Sequence, residues 1–235
     1  MTILIRHDVD NAFNVHLLNY LHFKFPRLFY LPSYLENETV MVRLEKQFGL
    51  KATYFFRARY TPPSYRLLRE MDEDSFEVGI HIDRTGDMGR REALERLWKR
   101  RIYGGSTHGS SFGILAPDGD KHVKSVGWTD DREGSTGFEY VDGGGCLREG
   151  EILTVDKSLR LNVPLKPLLD LILRNADDGL LKLLIHPTYL RGYGLFGGYG
   201  LYPPIIEGVR SIFGFLHDNG IKTYTYHEYV AMAGG

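Results

Sequence analysis

Short apolar runs alternate with helix-like stretches along this chain, and that alternation restricts it to parallel α/β architecture. Thr2–Arg6 reads as the first strand, Asn37–Phe48 as a helix stopped by Gly49, and Lys51–Phe56 as a second strand rich in aromatic and β-branched residues. Pro63–Met71 is predicted helical, Glu77–Ile82 a third strand, and Arg90–Arg101 a helix carrying Leu94, Leu97 and Trp98 at helical spacing. Tyr103–Gly150 is rich in Gly, Ser, Thr and Asp and reads as long loops with short strands. Beyond it, strands are expected at Glu151–Val155, Leu180–Ile185 and Ile221–Tyr226, with helices at Pro164–Arg174 and Pro204–His217.

That number of strands suits a small α/β barrel built as one domain over residues 1–235. A doubly wound open sheet is the main competitor. It would need a Gly-rich phosphate loop after the first strand, and Arg6-His7-Asp8-Val9-Asp10-Asn11 contains no glycine. With 29 Lys and Arg against 30 Asp and Glu, the chain lacks the basic excess of a nucleic-acid binder. Its single cysteine, Cys146, excludes an intramolecular disulfide and a Cys-rich zinc site. No apolar run approaches the length of a membrane span, and the opening residues read as a strand rather than a secretory signal, so the expected location is the cytoplasm.

Three of the strands end in residues that can bind metal or move protons. The first runs into His7-Asp8-Val9-Asp10, the third contains His81, and Leu180–Ile185 runs into His186-Pro187. In an α/β barrel the C-terminal ends of the strands share one mouth, so these distant residues are expected to converge. Asp8 and Asp10, two residues apart, would face the same pocket, where a cation relieves their repulsion. One carboxylate can then ligate while the other accepts a proton from water. His108 lies in the small-residue loop Gly105–Ser111, where backbone can approach a ligand. Pro187 pushes His186 toward extended backbone and holds its imidazole at the strand tip. Taken alone, each histidine reads equally as a packed or exposed residue, and their common placement at strand ends is the stronger signal. Tyr189–Tyr202 carries five Gly and four Tyr and reads either as a surface loop or as one whose rings stack on a flat ligand.

Ile5–Asp10, Lys51–Phe56, Glu77–His81 and Leu184–Pro187, with the terminal Gly220–Thr225, resemble in their order the motifs of the polysaccharide deacetylases of the NodB-homology, carbohydrate esterase family 4 kind. The resemblance implies an irregular (β/α) barrel, one divalent metal ion, most often zinc, and hydrolytic loss of an acyl group from a sugar amide. It implies Asp8 as general base, Asp10 as metal carboxylate, His81 as first metal histidine and His186 as the acid that protonates the leaving amine. The second metal histidine normally lies four residues after the first, where this chain has Thr85. His108 is the expected substitute, since divergent members with a similar first motif take that ligand from a later loop. The Arg-Pro motif that orients the catalytic base has no counterpart, and Arg6 or Arg84 is left to serve. The expected partner is a small-molecule or oligosaccharide substrate. Two other readings stay open: another amidohydrolase acting on non-peptide C–N bonds, and a non-catalytic carbohydrate-binding protein on the same scaffold.

Overall fold

Thr2–Val9 forms strand β1, and from Ile3 to Val9 every residue is buried. Such burial needs neighbours on both edges and cover on both faces, which a parallel sheet supplies. In the computed structural model β1 pairs in parallel with β7 (Leu180–Ile185) on one side and, on the other, with β10 (Thr223–Tyr224) at Ile3 and Leu4 and with β2 (Ala52–Phe56) from Ile5 to Val9. The sheet extends through β3 (Phe76–Ile82), β4 (Gly104–Thr107) and β5 (Tyr140–Asp142) beyond β2, and through β6 (Glu151–Thr154) beyond β7. Its order is β5-β4-β3-β2-β1-β7-β6, with β10 attached to β1 and every pairing parallel. The helices are α1 (Leu35–Phe48), α2 (Tyr65–Glu70), α3 (Arg91–Trp98), α4 (Val155–Arg160), α5 (Leu165–Asp177), α6 (Pro203–Asp218) and α7 (Tyr226–Ala233). β8 (Arg191–Tyr193) and β9 (Tyr199–Leu201) form a separate antiparallel ribbon. The structure describes residues 2–9, 21, 24–25, 35–57, 61–82, 90–107, 140–142, 151–160, 164–177, 179–193, 199–201 and 203–233. Among them, no helix is long and apolar enough to cross a membrane.

The two faces of β1 belong to two cores. Ile3, Ile5 and Val9 pack in a large cluster with Met41 and Val42 of α1 and Val209, Phe213 and Leu216 of α6. Leu4 turns the other way, into a second cluster with Phe55, Tyr140, Leu180 and Tyr226. The second cluster is the interior of a barrel, and one bond proves the curvature. β5 and β7 are five strands apart along the sheet, so a flat sheet would separate them by roughly 24 Å. Lys182 of β7 nevertheless donates to Asp142 of β5 at 2.8 Å. The sheet is therefore rolled, and the open doubly wound alternative does not apply. The fold is the irregular (β/α) barrel expected from the sequence.

Glycines make room inside the roll. A Cβ on Gly79 would lie 2.5 Å from the Phe55 ring and 3.1 Å from the Gly104 carbonyl oxygen. Phe55 has nowhere to go, because it meets the rings of Tyr140 and Tyr226 edge-on at 6.4 and 5.5 Å. At the lower end of this interior, near the start of β3, sits the buried carboxyl of Glu77. It accepts hydrogen bonds from Tyr140 Oη (2.6 Å), Thr53 Oγ1 (3.0 Å) and the backbone N–H of His227 (2.9 Å).

Several boundaries differ from expectation for identifiable reasons. β1 continues to Val9, past the expected end at Arg6, because its polar residues are paired inside the protein. α1 stops where Gly49 takes φ +64°, as the sequence signalled, with the Leu50 N–H closing onto the Glu45 carbonyl. The last strand contracts from Ile221–Tyr226 to Thr223–Tyr224, and a helix follows it. That helix has a reciprocal cap: Glu228 N–H donates to Thr225 Oγ1, and Thr225 N–H donates to Glu228 Oε2. Val155 likewise opens α4 rather than ending β6.

Gly79→Ala should destabilise the fold by about 1–3 kcal/mol through overpacking against Phe55, measured by urea unfolding; a variant as stable as the parent would show that the ring can yield. Glu77 gives a pH dependence. Burial pushes its carboxyl from 4.5 up to about 7, against the opposing hydrogen bonds from Tyr140, His227 N–H and Thr53. The folded state then binds the proton more tightly than the unfolded chain. The contribution of Glu77 to stability is fully present below pH 4.5 and is lost as pH rises through about 7, by roughly 3 kcal/mol in all. Glu77→Gln should flatten that part of the profile, and identical slopes in the two proteins would contradict it.

Candidate active site

The upper ends of the strands carry the polar residues. Arg6 and Asp8 alternate with the outward-facing residues of β1 and point inward. The Arg6 guanidinium grips Asp8 through both carboxylate oxygens, Nε to Oδ1 at 2.7 Å and the second nitrogen to Oδ2 at 2.6 Å. Its remaining nitrogen donates to Asp142 Oδ2 at 2.6 Å. Asp142 also accepts from Lys182 Nζ (2.8 Å) and Tyr226 Oη (2.7 Å). All five side chains are buried. Two cations face two carboxylates, so the group is neutral as a whole, which is what makes its burial tolerable.

His81 of β3 joins this group through β4. Its Nδ1 lies 2.7 Å from Ser106 Oγ, and Ser106 Oγ donates to Asp8 Oδ1 at 3.4 Å. His81 Nδ1 is itself 3.8 Å from Asp8 Oδ1. This relay assigns the hydrogen to Nδ1 and the lone pair to Nε2, the form in which a histidine ligates metal with its other nitrogen anchored. His186 follows β7 directly. The register sets His7 beside Ile185, so Asp8 and His186 come next along neighbouring strands. Pro187–Leu190 forms a 3-10 turn, the Tyr189 N–H donates to the His186 carbonyl, and the Tyr189 ring meets the imidazole edge-on at 5.7 Å. Burial opposes ionisation of Asp8, but the Arg6 guanidinium, through its charge and its hydrogen bonds, with a further pull from His186, holds its carboxyl well below the usual carboxylate range. Burial also opposes ionisation of Asp142, and there Arg6 and Lys182 prevail.

Asp8, His81 and His186 are thus brought together. Asp10 and His108 lie outside the described residues, as do Arg84, Thr85, Cys146, His16, His22 and His122. Among the described residues no group of three or more His, Cys, Asp or Glu is arranged to hold a metal ion. His81, with Nδ1 engaged and Nε2 as the ligating atom, fits one position of such a site. Asp8 does not, since both its oxygens receive Arg6. His7, adjacent to Asp8 in the strand-end motif, points to the opposite face. It is fully buried, bonded through Nε2 to Glu45 Oε1 at 2.6 Å and stacked on Tyr54 at 4.2 Å. The Gly- and Tyr-rich segment after His186 contains the ribbon of β8 and β9, with Gly192 opposite Gly200.

Asp142, Lys182, Ser106 and Tyr226 had no part in the sequence reading. A lysine within Leu180-Leu181-Lys182-Leu183-Leu184 was the available signal, because a cation in a buried strand requires a counter-charge. Nothing local marks Asp142 in the same way.

No protein-family model matches this sequence, and no curated protein sequence does. Solved structures do match. A structure described as a polysaccharide deacetylase from Mycobacterium smegmatis has 13% sequence identity, covers 99% of this chain and 89% of its own, and gives a TM-score of 0.54. The peptidoglycan deacetylase PdaC from Bacillus subtilis has 15% identity over 99% of this chain and 92% of its own, with a TM-score of 0.53. BA3943, a CE4 family pseudoenzyme from Bacillus anthracis, has 16% identity over 97% of this chain, again at 0.53. This chain spans 65% of the length of BA3943. The likeness is one of fold, and it is to the fold of the CE4 deacetylases.

Removing Asp142 strips the shared counter-charge from Arg6 and Lys182. Asp142→Ala should cost about 3–5 kcal/mol in urea unfolding, whereas Lys182→Met, which leaves Asp142 bonded to Arg6 and Tyr226, should cost distinctly less. Equal losses in the two variants would mean that Asp142 does not organise the cluster.

Proposed function

We propose that this chain is a divergent member of the NodB-homology deacetylases, a metal-dependent hydrolase that removes an acyl group from an amide of a sugar or related small molecule. The observation that carries the reading is the convergence of Asp8, His81 and His186 at the C-terminal ends of β1, β3 and β7, with Asp8 clamped by Arg6 through both oxygens. In the reaction, a water attacks the acyl carbon while Asp8 takes its proton, giving a tetrahedral oxyanion. His186 then donates a proton to the amide nitrogen as the C–N bond breaks, so that an amine leaves instead of an amide anion. A divalent ion, zinc in the first instance, held by Asp10, His81 and His108, would polarise the carbonyl and acidify the attacking water.

Arg6 has two effects on Asp8. It fixes both oxygens, so the carboxylate presents one orientation to the pocket. It also makes Asp8 a weak base, which can take a proton only from an acidified water. Ser106 fixes the His81 ring, and Pro187 with the following turn fixes the backbone of His186. The tyrosines of the Gly- and Tyr-rich stretch Tyr189–Tyr202 are candidates for stacking on a sugar ring. The site would be met by a small or nucleotide-linked substrate inside the cell. A second reading has its own support: BA3943, which shares the fold, is a pseudoenzyme. On that reading the same pocket binds carbohydrate without turning it over.

His186→Ala separates the two. In a folded, metal-loaded variant, turnover of an N-acetylated sugar should fall on the order of 10²–10⁴-fold. An activated aryl ester, whose leaving group needs no proton, should lose much less. Equal losses on both substrates would remove the acid role from His186, and absence of turnover in the parent protein would favour the binding reading.

A further inference from the structure

At the end of the barrel opposite Asp8 and His186 there is a partly open hollow. A cavity of about 300 Å³ lies between the segments that lead into β3 and β4 and the first turn of α7. Its volume is at the small end of ligand-binding pockets. Two of its walls are flat. Trp98, at the end of α3, is buried. Tyr103 lies face to face with His227, ring centroids 3.6 Å apart and planes 10° from parallel.

Two successive cations line the same space. The Arg100 guanidinium stacks on the Trp98 indole at 4.6 Å, and that of Arg101 lies over the Tyr103 ring at 5.6 Å. The carboxylates that line the space are largely committed elsewhere. Glu228 is bonded to Lys51 and to the Thr225 N–H, and Glu77 receives three internal hydrogen bonds. Glu73, whose side chain is 71% exposed, reaches Arg100 Nε only at 3.4 Å. One terminal nitrogen of Arg100 is buried with no hydrogen-bond partner among the described residues. A guanidinium N–H left unpaired in a pocket is costly, and a carboxylate oxygen in the plane of the fork would satisfy it.

We propose that this cavity binds a small planar monocarboxylate, its charge received by Arg100 and Arg101 and its flat body lying against Trp98 and the Tyr103–His227 pair. A monoanion suits the site better than a dianion, because Glu73 and Glu77 border the same space. The cavity lies at the other end of the barrel from the hydrolytic centre, and the proposal does not rest on the hydrolase reading.

Benzoate is the probe, titrated into the full chain and followed by tryptophan fluorescence and calorimetry. It should bind once, saturably, with a Kd on the order of 1 mM, as expected for a ligand of this size. Benzamide, its neutral counterpart of the same shape, should bind at least tenfold more weakly, and inorganic phosphate should not exceed benzoate. Arg100→Met should weaken benzoate at least tenfold, and Arg101→Met, altering an exposed side chain, should weaken it in the same sense should the first variant fold poorly. Glu73→Gln, which removes the competing carboxylate, should tighten binding. Absence of saturable benzoate binding, equal affinity for benzoate and benzamide, or tighter binding of phosphate would each overturn the proposal.

Discussion

The carboxylate of Asp142 receives Arg6, Lys182 and Tyr226, from three different elements, in the middle of the barrel. Everything else in the interior is arranged around that meeting. Burying one such ion alone would cost several kcal/mol, and burying Arg6, Lys182, Asp8 and Asp142 together is possible only because their charges cancel and their hydrogen bonds are short. The same convergence fixes the curvature, since β5 and β7 can share a salt bridge only if the strands between them roll. Curvature and charge balance are one constraint seen from two sides.

Asp8 owes its placement to that cluster. It lies one turn of the pleat beyond Arg6, on the same face of β1, and the guanidinium that satisfies Asp142 also holds Asp8. The histidines come from strands that the roll brings to the same mouth, with Ser106 of β4 linking His81 to Asp8. A site of this kind is assembled from long-range contacts, and its precision is inherited from the sheet.

How much of this could be read beforehand depended on the range of the interaction. Gly49 ends α1 by a local rule, and so does the switch from an apolar run to His186-Pro187 at the end of β7. His81 was legible because an apolar strand led into it. Asp142 was not, because its partners are 136 and 40 residues away and the three-residue strand that carries it has no periodicity to recognise. Lys182 was visible only as an anomaly in an apolar run. The helix Tyr226–Ala233 was missed although Thr225-Tyr226-His227-Glu228 spells its capping pattern, since the preceding β-rich residues suggested that the strand continued. The arginine that meets Asp8 proved to be its neighbour on the same strand, where alternation alone puts the two side chains on one face.

Tyr140 and Tyr226 stack across the barrel with centroids 5.6 Å apart, and their hydroxyls point in opposite senses. One donates down to Glu77, the other up to Asp142. Each phenol has a single hydrogen to give, and each gives it to a different end. Together with Phe55 they form a packed, buried group of rings between the two polar ends. The barrel is thus two shallow cups set base to base. With packed rings between them, the two ends can each be lined by different residues on one scaffold.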